Sequence, residues 1–402
     1  MAEENYNSEI DFSGNINVEE SIDSMLSLIQ KKLSVLRNPY IGNKKKMITH
    51  IVSAFKKHNI DYSSVLDLFS GSASVSIAFK ILGSTIHSND ILTSSIINAI
   101  AYVENRNISI SAAEKEYLFK TKDIKEPYPF FLKYQDRFTE KEMLFLSNYS
   151  NNIQNLFECK MTNPFHKKQI CRMDYFREYL NIYSISRIKI ALASVSIQNY
   201  IMDNCFVGGR LNNGQVLAKL EHRLSHPRNN GREMLFRNIR WIEPLFPEDN
   251  HIHYIDNKDA LVLLQDIDTV DKLVYIDPPY GGEQSDYVYM YGFFEEYLYQ
   301  NNFWLGDKYI SVEERMRKLK EGAEFFADKK KYRIHFEKLI QLAQFHPQIA
   351  ISYNDSSWGT LDEICDIVKK YRKSVIVEEF LYNYKYREDK SPAKEYLIIS
   401  KE

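Results

Sequence analysis

One junction constrains this chain more than any other stretch: an apolar run, Lys272-Leu273-Val274-Tyr275-Ile276, continues directly into Asp277-Pro278-Pro279-Tyr280. Each proline lacks an N–H and has its φ fixed, so a strand that reaches the pair must stop there. The strand therefore ends in a rigid, extended turn with a carboxylate, a free carbonyl and an aromatic ring close together. Those groups can hold the exocyclic amine of a flat base. Four residues can match by chance, so the weight of the junction depends on whether the chain also supplies a donor site and a way to hold nucleic acid.

A strand–loop–helix rhythm surrounds the junction. Residues 64–69 read as a buried strand, 70–74 as a tight loop and 75–82 as a helix. Residues 85–90 read as a second strand ending in Asp90, and 91–103 as another helix. Helical spacing also marks 47–57 and, with Ile22, Met25, Leu26 and Ile29, a segment within 18–36. Such alternation implies a parallel sheet with right-handed crossovers, hence an α/β fold. The rhythm lapses from about 104 to 250 and resumes with strands near 251–256, 273–276, 348–353, 374–380 and 395–400, the last two expected to pair antiparallel. The expected division is an acidic tail and short helix over 1–35, a split sheet domain over 36–104 and 251–402, and an inserted domain over 105–250. A second insertion, rich in Tyr, Phe and Lys, spans 283–335.

Charge and cysteines narrow the class. The net charge of −2 over 402 residues does not announce a nucleic-acid binder. Seven acids and no Lys or Arg lie in the first 23 positions, so the remainder is net basic. No apolar run is long enough for a membrane span, and the acidic N-terminus lacks the pattern of a signal peptide. Cys159, Cys171, Cys205 and Cys365 are widely spaced, with no metal-ligand pattern. A cytoplasmic protein with reduced thiols and no metal is expected.

In open parallel sheets, ligands bind beyond the carboxyl ends of strands where the strand order reverses. The loop Asp67-Leu68-Phe69-Ser70-Gly71-Ser72-Ala73-Ser74 has the small residues that let a backbone approach a ligand. It lacks both the three-glycine fingerprint and the lysine of a phosphate loop. A nucleoside without a pyrophosphate fits best, which favours S-adenosylmethionine over NAD or ATP. Asp90, at the end of the next strand, can accept both ribose hydroxyls.

Four segments in this order resemble the Dam-like, D12 class of adenine-N6 DNA methyltransferases: Asn38-Pro39-Tyr40-Ile41-Gly42-Asn43-Lys44-Lys45-Lys46, Asp67 to Val75, Ser88-Asn89-Asp90-Ile91, and Asp277-Pro278-Pro279-Tyr280. The resemblance covers 36–104 and 251–282 well, and Ser352-Tyr353-Asn354-Asp355 and 395–399 more loosely. It implies a Rossmann-like sheet of about seven strands with an inserted target-recognition domain. By the same resemblance, Tyr40, Gly42 and Lys44 face the cofactor, Phe69, Ser70, Gly71, Ser72 and Ala73 form its loop with Asp67 and Ile91 alongside, and Asp90 takes the ribose. Asp259 matches an acid beside the cofactor adenine, with a plain helix-terminal charge as its alternative. Asp277, Pro278, Pro279 and Tyr280 match the catalytic turn. The family often has Gly-Gly-Lys where this chain has Gly42-Asn43-Lys44, and Gly where it has Ala73. A methyl group at position 73 is tolerable if φ is negative there. Lys45 and Lys46 read as a solvated basic run.

The 210–240 stretch is densely basic, with Arg210, Lys219, Arg223, Arg228, Arg232, Arg237 and Arg240. Such residues neutralise phosphates, while Asn212, Asn213 and Gln215 can pair with adenine edges; a solvated loop is the alternative. The expected activity is methyl transfer from S-adenosylmethionine to N6 of a flipped-out adenine in double-stranded DNA, within a restriction-modification or related defence system. A cognate endonuclease is a possible partner, and a monomer or weak dimer is expected. Cytosine-N4 methylation, an RNA substrate and a catalytically silent nucleic-acid-binding protein stay open as alternatives.

Overall fold

The computed structural model describes residues 22–35, 43–109, 187–189, 191–192, 194–195, 249–279, 295, 312–355, 357–382 and 393–402. Its centre is one seven-stranded sheet of order β3-β2-β1-β4-β5-β7-β6. The strands are β1 (Ser64–Asp67), β2 (Thr85–Asn89), β3 (Tyr254–Asp256), β4 (Leu273–Ile276), β5 (Gln348–Asn354), β6 (Ser374–Tyr382) and β7 (Ala393–Lys401). The pairs β1·β2, β2·β3, β1·β4 and β4·β5 are parallel. Strand β7 runs antiparallel to both β5 and β6. Both the expected strand count and the antiparallel C-terminal hairpin are present.

The order reverses at β1. Successive strands step outward to β3 on one side, and β4 then starts the other side directly against β1, with Leu66 opposite Val274. This is the switch point at which α/β sheets bind ligands beyond the strand carboxyl ends. The four residues of β4 are all buried, which is why the segment reads as an unbroken apolar run rather than an alternating one.

Eight α-helices have bounds within the described residues: α1 (Ile22–Val35), α2 (Ile48–Lys57), α3 (Ser74–Ile81), α4 (Thr93–Ala99), α5 (Ala260–Asp266), α6 (Val312–Ala327), α7 (Lys329–Ala343) and α8 (Leu361–Lys369). Tyr332, Phe336, Leu339 and Ile340 of α7 join Ile364, Ile367 and Val368 of α8 in a core with Val274, Ile276, Ile349 and Ile351 of the sheet. Helix starts are locally encoded. Thr360 and Glu363 form a reciprocal capping box at α8, and the Asp328 carboxylate accepts the Lys330 and Lys331 N–H groups at α7.

Helix α4 passes into a π-helical turn at Ile100–Glu104. Its last carbonyls are met by Lys80, which is buried and donates to Val103 O at 2.8 Å and Asn105 O at 2.5 Å. Lys80 Nζ also stands 3.6 Å from Asp249 Oδ2. The chain on either side of the 105–250 stretch is thus gathered at one ammonium. Among the described residues, no helix is long and apolar enough to cross a membrane, and no group of His, Cys, Asp and Glu could hold a metal ion.

Candidate active site

The loop that leaves β1 is built against both neighbouring strands. The Leu68 N–H donates to Tyr275 O at 3.0 Å, and the Ser70 N–H donates to Asn89 O at 2.8 Å. Gly71 turns the chain with φ +49 and donates its N–H to Asp90 Oδ2 at 2.7 Å. A second N–H, from Leu92, reaches Asp90 Oδ1 at 2.8 Å. The carboxylate of Asp90 is therefore fixed between two backbone donors, with a further lone pair on each oxygen. Ala73 departs from the sequence expectation. Its φ is +58, so the methyl group stands in the left-handed region that glycine occupies freely. That conformation costs an L-residue about 1 kcal/mol, and the buried loop imposes it.

Three carboxylates meet at this end of the sheet. Asp67, at the end of β1, is fully buried, and burial raises its pKa to about 7. Ser76 counters the shift by donating to Asp67 Oδ2 from its N–H at 3.1 Å and its hydroxyl at 2.6 Å, while Asp277 and Asp90 add to it by repulsion. Asp67 Oδ1 and Ser70 Oγ are buried without a hydrogen-bond partner. Burial also raises Asp90, to about 6, against the pull of its two backbone donors.

Asp277 closes β4, as the proline pair dictates, with Pro278 and Pro279 buried behind it. Its Oδ1 lies 2.9 Å from Lys44 Nζ, and both side chains are largely screened, at 17% and 7% exposure. Residues 233 positions apart, in the N-terminal motif and the Asp-Pro-Pro turn, are thereby brought together. Asn43, where the family often has glycine, orients this contact. Its side-chain oxygen accepts the Lys45 N–H at 2.8 Å, starting the 3-10 turn of Lys44–Lys46, and also accepts the Ser74 hydroxyl at 2.9 Å at the start of α3. Lys46 is exposed as expected. Lys45 is half-buried instead of solvated, and desolvation lowers its pKa to about 8.

Phe69 is half-buried against the core, Ser72 bonds Ser74 at 2.8 Å, and Ile91 follows Asp90 directly. Asp259 N-caps α5, accepting from Leu261 at 2.9 Å and Val262 at 3.3 Å. Tyr40, Gly42, Tyr280, Arg210, Asn212, Asn213, Gln215, Lys219 and Arg223 lie outside the described residues. Sequence reasoning overlooked several groups that hold the site. The Asn257 amide donates to Asp90 O at 2.8 Å and Ile91 O at 3.0 Å. Asn89 donates to Leu68 O at 3.1 Å and Lys258 O at 3.2 Å. The available signal was an asparagine at or just beyond a strand end, where its side chain can replace ladder partners.

A seven-stranded sheet with one antiparallel strand, a small-residue loop after β1 and acids ending β1 and β4 defines the Rossmann-like methyltransferase class. Residues 40–193 match the family of D12 class N6 adenine-specific DNA methyltransferases. The chain is also 24% identical to the Type II methyltransferase M2.HphI of Haemophilus parahaemolyticus over 363 residues, which is 90% of this chain and 96% of that protein. It carries a D12 class domain and is an enzyme, an adenine-specific DNA methyltransferase. The matched stretch extends past residue 104 into the segment that interrupts the sheet. The family implies a methyl donor and a DNA substrate.

Proposed function

We propose that the methyl donor is S-adenosylmethionine, bound across the loop 69–73 and Asp90, and that Asp277 and the Pro278 carbonyl hold the target adenine. The observation that carries this reading is the Lys44–Asp277 ion pair at 2.9 Å, which joins the N-terminal motif to the catalytic turn beside the loop after β1. The residues present fit such a donor. Asp90 keeps an acceptor site on each oxygen for ribose hydroxyls, and Asp67 Oδ1 and Ser70 Oγ are buried polar atoms awaiting a partner. Tyr40, Gly42, Lys44, Ile91 and Asp259 complete the donor side, with Asp259 by the donor adenine. When bound, the donor supplies an electrophilic methyl group on a sulfonium.

The protein's part in the chemistry follows from its groups. The lone pair of adenine N6 is delocalised into the ring, so the free amine is a poor nucleophile. Asp277 and the Pro278 carbonyl accept its two hydrogens and favour a pyramidal nitrogen with a localised lone pair. Acceptors fixed in advance act most strongly on the charge that develops in the transition state. Lys44 keeps the Asp277 carboxylate aimed before the base arrives. Tyr280 stacks on the base, which must leave the duplex to reach the turn.

The recognition domain corresponds to 105–250, with Arg210, Lys219 and Arg223 on phosphates and Asn212, Asn213 and Gln215 on base edges. The gathering of both of its ends at Lys80 supports an insertion rather than a linker. The similarity to a Type II methyltransferase supports a restriction-modification context, with a cognate endonuclease as partner. The test is incubation of the purified protein with tritiated S-adenosylmethionine and unmethylated DNA, followed by nucleoside analysis. Label in N6-methyladenine is expected. Label in N4-methylcytosine, or none, overturns the reading. Methylome sequencing of an expressing host then returns the target site.

A further inference from the structure

Glu295 lies in the 283–335 stretch that follows the catalytic turn, and its side chain is wholly buried. Its two oxygens accept the Thr93 N–H at 2.9 Å and the Ser94 N–H at 3.0 Å, at the start of α4. Arg315, in the first turn of α6 and also buried, stands 3.5 Å from Glu295 Oε2. The same guanidinium donates to the Ile91 carbonyl, to Thr93 Oγ1 at 3.4 Å and to Asn257 Oδ1 at 3.2 Å. Asn257 in turn holds the carbonyls of Asp90 and Ile91. Helix α6 closes over the same loop, since a Cβ added at Gly322 would stand 3.6 Å from Ile91 Cδ1. The described polar contacts of this buried pair outside the pair itself converge on residues 91–94 and on Asn257. Glu295 and Arg315 also act on the Asp90 charge in opposite directions, the carboxylate disfavouring it and the guanidinium favouring it.

A buried Glu–Arg pair is a weak source of stability, because desolvation of both charges offsets their attraction and apolar side chains would fill the space as well. What the pair supplies here is geometry. We propose that Glu295 and Arg315 are positioning residues for the methyl-donor site: they hold the Asp90-Ile91-Leu92 loop in its binding conformation and tie it to the segment that follows the catalytic turn. Neither residue touches the donor. The inference rests on the reading that Asp90 receives the donor's ribose.

The experiment uses the full chain, with S-adenosylhomocysteine as the calorimetric probe and unmethylated plasmid as the DNA substrate. In Arg315→Met and Glu295→Gln, the Kd for S-adenosylhomocysteine and the KM for the donor rise about tenfold, while kcat at saturating donor stays within about twofold. Arg315→Lys, which keeps a cation at the Ile91 carbonyl, recovers part of the loss and serves where the methionine variant fails to fold. Arg317→Met, on the exposed side of α6, leaves both constants unchanged. Unchanged probe affinity in folded Arg315 and Glu295 variants overturns the inference, as does a loss confined to kcat. Failure of the wild-type protein to bind the probe would instead overturn the reading of the donor site itself.

Discussion

The acids that close β1 and β2 differ from the one that closes β4 in how they are held. Asp67 and Asp90 are buried and accept from N–H groups of α3, of the loop after β1 and of the turn after β2, within twenty residues in sequence. Asp277 is partly exposed, and its described partner is the ammonium of Lys44 from the far end of the chain. The first arrangement is built from local backbone donors, which suits the donor site proposed for it. The second ties a partly exposed carboxylate to a distant cation, at the turn proposed to receive the base.

The contrast predicts that losses divide between binding and chemistry. The largest effect is expected for Asp277→Ala, with kcat reduced about 10²–10³-fold and donor affinity changed by less than about threefold. Single-turnover methylation alongside calorimetry checks both halves. A variant whose donor affinity collapses together with kcat would break the contrast. Asp90→Ala is expected to do the reverse. Loss of charge-assisted hydrogen bonds weakens the donor Kd about tenfold to a hundredfold, and most of the activity returns at saturating donor.

A smaller, pH-dependent effect sharpens the donor side. Burial pushes the Asp90 pKa up to about 6, and the ionised form is the better acceptor for the ribose hydroxyls proposed to bind there. Donor affinity is therefore expected to be flat above pH ~7 and to weaken by up to about tenfold per unit below 6. Asp90→Asn should flatten that profile, as measured by calorimetry from acid to neutral pH. Stability moves the opposite way. Because burial raises Asp67 and Asp90 above the ordinary 3.8, the native state holds their protons more tightly than the unfolded chain does. Their contribution to stability is full below about pH 4 and is lost as pH rises through 6 to 7. The smallest expected effect is that of Ala73→Gly. Relief of the left-handed strain outweighs the added chain entropy, stabilising the protein by up to about 1 kcal/mol in denaturant unfolding.

Much of the scaffold was legible in the sequence because it is locally encoded. The proline pair ended β4, the apolar runs marked buried strands, and acids placed at 90 and 277 emerged at strand ends. Helix positions were read less closely. The segment expected to be helical over 91–103 begins at Thr93 and changes to a π-turn at Ile100, where Lys80 binds its carbonyls. The conformation of Ala73 was not legible, since an alanine in sequence argues for negative φ and only the closed loop overrides that preference. The role of Asn43 was equally hidden. It looked like a lost glycine, yet it bridges the Lys44 turn to Ser74. Glu295 and Arg315 sat in a stretch read only as aromatic and basic.

What the sequence determined by itself were properties of short segments: which strands are buried, where they stop, and which acids stand at their ends, because backbone sterics and apolar patterning act over a few residues. Tertiary structure alone decided the partners, setting Lys44 on Asp277, Asn257 and Arg315 on the loop after Asp90, and Lys80 between Asn105 and Asp249. Those contacts join residues tens to hundreds of positions apart, and their existence depends on strand order and helix packing, which no local pattern carries.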